Sequence, residues 1–215
     1  MMRTIIIGLF ISLFLSCHAQ QKDIMNNSTA SKNLIYPEVD KSFEKFDLNK
    51  LDTITGINIV KSKNGDVTEY QKQSTGYIIR FQPQNSYFTL IKKFFKSGQI
   101  ESKGLIFNSG DFRKGTWYFF DENGTALPAK NFDSDFSFSF ENLYDQLIQM
   151  GIPLTIGNLE GGFNTTIQKE TQGKPKWSVE WLKDTSTHPN IIERIDFDGT
   201  SGKIIHREQY EYTNN

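Results

Sequence analysis

The sequence predicts a β-rich α+β fold, with an antiparallel sheet of hairpins followed by one helix packed on a second antiparallel sheet. Two patterns predict it. Between about residues 53 and 130 apolar and polar side chains alternate with a period of two, interrupted by Gly and Asn. Residues 140–148 instead carry apolar side chains at helical spacing. Of the 215 residues, 37% are hydrophobic and 13% aromatic, which is enough to bury a core.

The first element is an apolar N-terminal run. Arg3 precedes eleven mostly apolar residues, 5–15. A membrane-spanning helix needs about 18 or more apolar residues, so this run is typical of a cleaved export signal. We therefore expect residues 1–16 to be a signal peptide and the protein to be exported.

The only cysteine, Cys17, directly follows this run in the string Leu-Phe-Leu-Ser-Cys. The string resembles the lipobox of bacterial lipoproteins, in which lipid is attached to the Cys thiol and the chain is cut just before it. Ser16 fits the pattern, whereas the two residues before it depart from it. The alternative is ordinary cleavage after Ala19, which leaves the protein periplasmic or secreted. A lone cysteine also predicts no intramolecular disulfide and no Cys-rich zinc site.

Residues 17–33 are polar and small, which predicts a flexible tether. Residues 34–131 are expected to form the antiparallel β domain. Asn64-Gly65 and Asn123-Gly124 are the strongest hairpin signals, because Asn-Gly tolerates the positive φ of a type I′ turn. Pro128 cannot donate a ladder hydrogen bond, so its strand should lie at a sheet edge.

A weak repeat lies within this half. Residues 94–98 (Phe-Phe-Lys-Ser-Gly) are echoed by residues 119–124 (Phe-Phe-Asp-Glu-Asn-Gly), with the two glycines 26 residues apart and Gly-Thr-Trp-Tyr between them. Residues 94–127 resemble the MORN-type repeat, in a variant found in some antitoxin-like and envelope proteins. The resemblance implies stacked hairpins. The aromatic residues are otherwise cross-strand core pairs.

The second domain, residues 132–215, opens with the helix. Ser139 is the expected N-cap, and Gly151 followed by Pro153 ends the helix. Its apolar stripe consists of Phe140, Leu143, Tyr144, Leu147 and Ile148. Strand-like runs follow at 163–171, 176–183, 190–198 and 203–212.

This order of one helix and several strands resembles a PepSY domain over residues 139–212. The family's final hairpin commonly has an acidic residue, two spacers, Thr, Gly and an aliphatic strand. Asp198, Ser201, Gly202 and Ile204 take those places, with Ser where Thr is usual. The resemblance implies an inhibitory or binding role.

The sequence predicts no catalytic residue, no metal ligand and no cofactor. Asp196 and Asp198 lack the further ligands of an EF-hand loop, so a hairpin turn is expected there. His188 and His206 have no neighbouring ligand pattern and are expected to be structural. The glycine-rich stretch 157–162 lacks the Lys-Ser/Thr of a phosphate-binding loop.

The combined expectation is an exported, lipid-anchored, non-enzymatic binding protein of the bacterial cell envelope, whose partner is a protein or glycan. With 24 basic and 25 acidic residues, the chain is not expected to bind nucleic acid. The contact surface is expected on the sheet face that the helix leaves uncovered, or on Trp117, Tyr118 and Phe119. One alternative is an immunity or antitoxin-like protein, from the repeat resemblance. Another is a carboxylate-dependent hydrolase, because acids distant in sequence can converge in space.

Overall fold

The computed structural model describes residues 30–48, 56–110, 112–156, 163–186 and 188–212. The predicted signal peptide, Cys17, most of the tether and the glycine-rich stretch lie outside the described residues. Among those described, a short 3-10 turn spans Ser31–Asn33, and none of the helices combines the length and hydropathy needed to cross a membrane.

Seven of the described strands form the first sheet in the order in which they occur along the chain, and every neighbouring pair is antiparallel. They are β1 (Ile57–Lys61), β2 (Val67–Gln73), β3 (Gly76–Gln82), β4 (Phe88–Phe95), β5 (Ile100–Phe107), β6 (Arg113–Phe120) and β7 (Ala126–Asn131). Pro128 lies in β7, where the sheet ends, as predicted from its missing N–H.

Three of these hairpins share one kind of turn. Gly65, Gly98 and Gly124 have φ values of +88°, +82° and +83°, and each donates its N–H to the carbonyl three residues earlier. A glycine in the left-handed region at the end of a three-residue loop is typical of a type I turn followed by a bulge. The Asn-Gly hairpins are therefore confirmed, but each loop has three residues rather than the two of a type I′ turn.

The helix α1 (Phe140–Gln149) begins where the sequence predicts. Ser139 Oγ accepts a hydrogen bond from the Asn142 N–H at 3.3 Å, and Asn142 Oδ1 accepts one from the Ser139 N–H at 3.2 Å. This reciprocal capping satisfies donors that the first helical turn cannot pair. Gly151, with φ of +72°, follows the helix.

Four antiparallel strands form the second sheet, again in chain order. They are β8 (Thr166–Glu170), β9 (Lys176–Asp184), β10 (Asn190–Asp198) and β11 (Ile204–Tyr212). One helix and two antiparallel sheets confirm the predicted β-rich α+β fold.

One hydrophobic core joins the two halves. It contains side chains from one face of the first sheet, from α1 and from the second sheet. Phe88 lies 5.0 Å from Phe140, and Phe112 lies 5.2 Å from Trp177, measured between ring centroids. The core therefore spans the predicted boundary between residues 131 and 132. We call the side of the first sheet that carries Phe88 the inner face, and the opposite side the outer face.

A buried lysine supports this junction. Lys169 has a 4% exposed side chain, donates to the Phe132 carbonyl at 2.6 Å and pairs with Asp133 at 2.5 Å. Its ammonium lies 4.6 Å from the ring centroid of Phe136 and 5.3 Å from that of Trp177. Burial lowers the pKa of Lys169, and the hydrogen bond to Asp133 only partly opposes that shift. The lysine thus ties β8 to the segment that leads into α1.

Candidate functional site

Residues 34–48, which we call the strap, cross the inner face of the first sheet. The Ser86 hydroxyl donates to the Ile35 carbonyl at 2.7 Å near one end. Near the other end the Ile100 N–H donates to the Glu44 carbonyl at 3.0 Å. These bonds hold an otherwise irregular segment against a rigid sheet, which is how loops commonly position binding groups.

A buried lysine lies beneath the strap. The side chain of Lys103, on β5, is 2% exposed, and its ammonium donates to Glu44 Oε1 at 2.6 Å and to Asp40 Oδ1 at 2.8 Å. Lys92, on the neighbouring strand, pairs with Glu44 Oε2 at 2.6 Å. The carboxylate of Glu44 therefore bridges two ammonium groups. Ser42 Oγ lies 3.4 Å from the Lys103 ammonium.

These contacts shift the titration of the cluster. Burial alone would raise the pKa of Glu44, but hydrogen bonds from Lys103 and Lys92 outweigh it and lower the pKa. Burial would lower the pKa of Lys103, but hydrogen bonds to Asp40 and Glu44 raise it. The pKa of Asp40 is well below its usual range, chiefly because of the hydrogen bond from Lys103. Asp40, Glu44 and Lys103 are therefore charged at neutral pH, and the Lys103 amine has no free electron pair for nucleophilic attack.

A cleft of about 390 Å³ lies beside the strap. This volume falls within the range of small-molecule sites, about 300–1,000 Å³. Apolar side chains from the strap, β3 and β4 form most of its wall: Phe46, Ile79, Phe81, Leu90 and Phe94. Charged side chains complete the lining: Glu44, Lys45, Asp47 and Lys92.

The cleft combines an apolar wall with a hydrogen-bond donor. The Lys92 side chain is 27% exposed, and an ammonium group has three N–H donors, of which the bond to Glu44 uses one. Phe46 packs 5.4 Å from Phe94 between ring centroids, so the apolar wall is backed by the sheet. The arrangement suits a ligand group with an apolar body and an oxygen acceptor.

The three aromatic residues of the predicted contact surface do not share one face. Trp117 is 3% exposed, and its indole N–H donates to the Leu105 carbonyl at 3.1 Å. Its ring covers Gly104, where an added Cβ would lie 2.2 Å from the ring. Trp117 is thus an interior side chain rather than an exposed one. Phe119 is half-buried on the outer face, whereas Tyr118 packs on the inner face, because neighbouring residues of a strand alternate. The predicted lipidation residue, Cys17, lies outside the described residues.

The Asp198 segment is a hairpin turn, as predicted. One oxygen of the Asp198 carboxylate accepts hydrogen bonds from the N–H groups of Thr200 and Ser201 at 3.0 and 2.8 Å. Hydrogen bonds from these two residues lower the pKa of Asp198. His206 lies 3.5 Å from Glu208 with half of its side chain exposed. In the described part of the chain, no group of three or more His, Cys, Asp or Glu side chains could hold a metal ion.

The cluster of Asp40, Glu44, Lys92 and Lys103 was not predicted from the sequence. A signal for it is present: Lys92 follows Phe88 and Leu90 on an apolar strand face, and Lys103 precedes Leu105 and Phe107 in the same way. A charged residue at a core position needs a partner, because burial of an unpaired charge is costly.

No family model matches this chain, and neither a curated protein nor a solved structure is significantly similar to it.

Proposed function

We propose that the chain is an exported, lipid-anchored, non-enzymatic binding protein of the bacterial cell envelope. Its ligand site is the cleft beside the strap, and its partner is a protein or glycan that inserts an apolar side chain or sugar there. The apolar run before Cys17 supports the export and the anchor. The cleft supports the binding.

The observation that carries this proposal is that the cleft is built on rigid structure. Its apolar wall stands on β3 and β4, and the strap opposite is tied down by the ion pairs of Glu44. A site that is already formed does not lose binding energy to ordering its own loops.

The charges in the cleft also favour binding over acid–base catalysis. A general base works best when its pKa lies near the working pH. The pKa of Glu44 is instead lowered, and both of its carboxylate oxygens are engaged by lysines. We therefore assign Glu44 to holding the strap.

Envelope extracts passed over the immobilised chain would test the binding. Ile79→Trp enlarges a side chain that lines the cleft, and we expect it to abolish capture of the partner. Ile59→Trp is the matched control, because Ile59 is 57% exposed on β1 and does not line the cleft. If both variants capture the same partner as the parent chain, the cleft is not the site. If the parent chain enriches nothing over an unrelated lipoprotein, the binding proposal fails.

Cell fractionation would test the anchor separately. We expect Cys17→Ser to move the protein from the membrane fraction to the soluble fraction. An unchanged distribution would refute lipidation at Cys17. Cleavage after Ala19 would then be read directly from the N-terminus of the mature chain.

A second candidate function is immunity or antitoxin-like protection. The observation that favours it is the repeated hairpin, in which Gly98 and Gly124 close identical three-residue loops, in line with the MORN-type resemblance. Deletion of the gene should then reduce fitness in competition with sibling cells. An unaffected deletion strain would count against this function.

A further inference from the structure

The outer face of the first sheet carries a cluster of cations and aromatic rings. Its members, which we call the outer patch, are Arg113, Trp117, Lys130 and Phe132. Lys93 lies on the same face, opposite Ile78 of the buried cluster that contains Trp117. The guanidinium carbon of Arg113 lies 4.6 Å from the ring centroid of Trp117 and 4.8 Å from that of Phe132. The ammonium of Lys130 lies 4.8 Å from the same Phe132 centroid. The charged groups of Arg113 and Lys130 therefore both pack against the ring of Phe132.

The positive charge of the outer patch is not neutralised within the described residues. Neither Lys93 nor Arg113 nor Lys130 forms an ion pair with any acidic side chain there. In contrast, Arg80 on the same face pairs with Glu69 at 2.6 Å. The three cations give one side of the sheet a local positive potential, although the whole chain is almost neutral.

The rings also preorganise Arg113. A guanidinium in contact with two aromatic rings loses rotational freedom, and its N–H groups remain able to form the paired hydrogen bonds that a carboxylate accepts. Arg113 itself is exposed at the start of β6. The half-buried Ile106 lies opposite Arg113 on β5, and the half-buried Phe119 lies further along β6 on the same face.

The ring geometry favours a protein partner over a glycan. Sugars bind aromatic side chains by stacking on an open ring face. Trp117 is 3% exposed, and the cations of Arg113 and Lys130 pack against Phe132. The groups that a ligand can reach in the patch are therefore the cationic N–H groups and the nearby apolar side chains. These groups are complementary to a protein segment that contains acidic and apolar residues.

The position of Ser31 argues against the anchoring membrane as the partner. The Ser31 N–H and hydroxyl bond to Asp145 of α1 at 2.9 and 2.7 Å, and α1 packs on the inner face. The chain thus enters the described structure on the side opposite the outer patch. An anchor at Cys17 would therefore connect to the face of the molecule that lies opposite the outer patch.

We propose that the outer patch binds an acidic segment of a partner protein. Arg113 and Lys130 receive two of its carboxylates, and Ile106 and Phe119 contact its apolar side chains. This inference does not rest on the cleft, which lies on the other face of the sheet.

Titration of the full chain with a short peptide of alternating Glu and Leu would test the proposal, with the Gln-for-Glu peptide as reference. We expect the Glu peptide to bind and added salt to weaken it. Arg113→Gln combined with Lys130→Gln should raise its dissociation constant at least about tenfold, because two charge-assisted contacts are lost. Lys61→Gln combined with Lys63→Gln removes the same charge from exposed positions at the β1 edge and should change it less than about twofold.

The variant Arg113→Lys keeps the positive charge but replaces the planar guanidinium by an ammonium, so it tests whether the guanidinium itself is needed for binding. We expect a weaker complex than the parent chain forms, because an ammonium does not present the paired donors of a guanidinium. An unchanged melting temperature in each variant would assign the effect to binding. The proposal is overturned if the Glu peptide does not bind, or if the Arg113/Lys130 variant binds it unchanged. It is equally overturned if alginate or vesicles containing phosphatidylglycerol bind the patch more tightly than the peptide.

Discussion

Replacing Glu44 by Gln should destabilise the protein by about 1.5–4 kcal/mol. Lys103, with a 2% exposed side chain, keeps Asp40 but loses a charge-assisted bond worth about 1.5–3 kcal/mol. Lys92 is 27% exposed and regains water, so its lost pair adds about 0–1 kcal/mol. Urea unfolding gives the free energy directly. Thermal unfolding should show a decrease of about 2–4 °C for each kcal/mol in a chain of this size.

The pH dependence supplies a second readout of the same change. The pKa of Glu44 is lowered in the folded state, so its contribution is fully present above the ordinary glutamate pKa of about 4.3 and is lost as the pH falls below it. Glu44→Gln should therefore weaken the acid dependence of stability in that range. Asp40→Asn is the control and should cost less, because that side chain is 60% exposed. Equal losses in the two variants would refute the argument that Glu44 is the bridge.

Three further predictions concern other buried groups. The side chain of Glu193 is fully buried. Burial would raise its pKa, but hydrogen bonds from its neighbours lower the pKa to about 2. About 3 kcal/mol of folding stability should therefore be lost as the pH falls from about 5 to about 2. Glu193→Gln should flatten this part of the pH profile, and an unchanged profile would contradict the assignment. Gly104→Ala should cost about 1–3 kcal/mol in urea unfolding, because its Cβ would lie 2.2 Å from the Trp117 ring; an unaltered midpoint would show that the ring moves without cost. Lys169→Met should cost about 2–4 kcal/mol by the same assay, since Asp133 loses one of its two buried cations, and a variant as stable as the parent would show that the pair is dispensable.

The elements that the sequence predicts correctly are those with local signals. Ser139 and Gly151 bracket α1 because capping and a left-handed residue act within one helical turn. Gly98 and Gly124 mark hairpin loops for the same reason. At each Asn-Gly turn the predicted two-residue loop was wrong, because the structure has a three-residue loop. The pairing of the flanking strands decides whether the glycine is the second or the third residue of the loop.

The candidate site depends on contacts that no local pattern specifies. Lys103 meets Asp40 across 63 positions of sequence. Trp117 is at a strand position that looks equally suited to exposure, and only the absence of a Cβ at Gly104 makes room for its ring. The outer patch likewise needs the register of β6 against β7, which brings Trp117 opposite Lys130. The pairing of strands thus determines which of these distant residues come into contact, and neither composition nor local spacing specifies that pairing.

The interior shared by the two halves has a consequence for how the molecule can be divided. A fragment ending near residue 131 would present Phe88 and Phe107 to water, and a fragment starting there would do the same to Trp177. Each piece would collapse onto itself or onto other copies rather than keep its shape. Heating should accordingly unfold the parent chain in a single cooperative transition, seen as one peak in calorimetry. Cleavage by a protease or division in a gene fusion near residue 131 should therefore not yield two folded fragments.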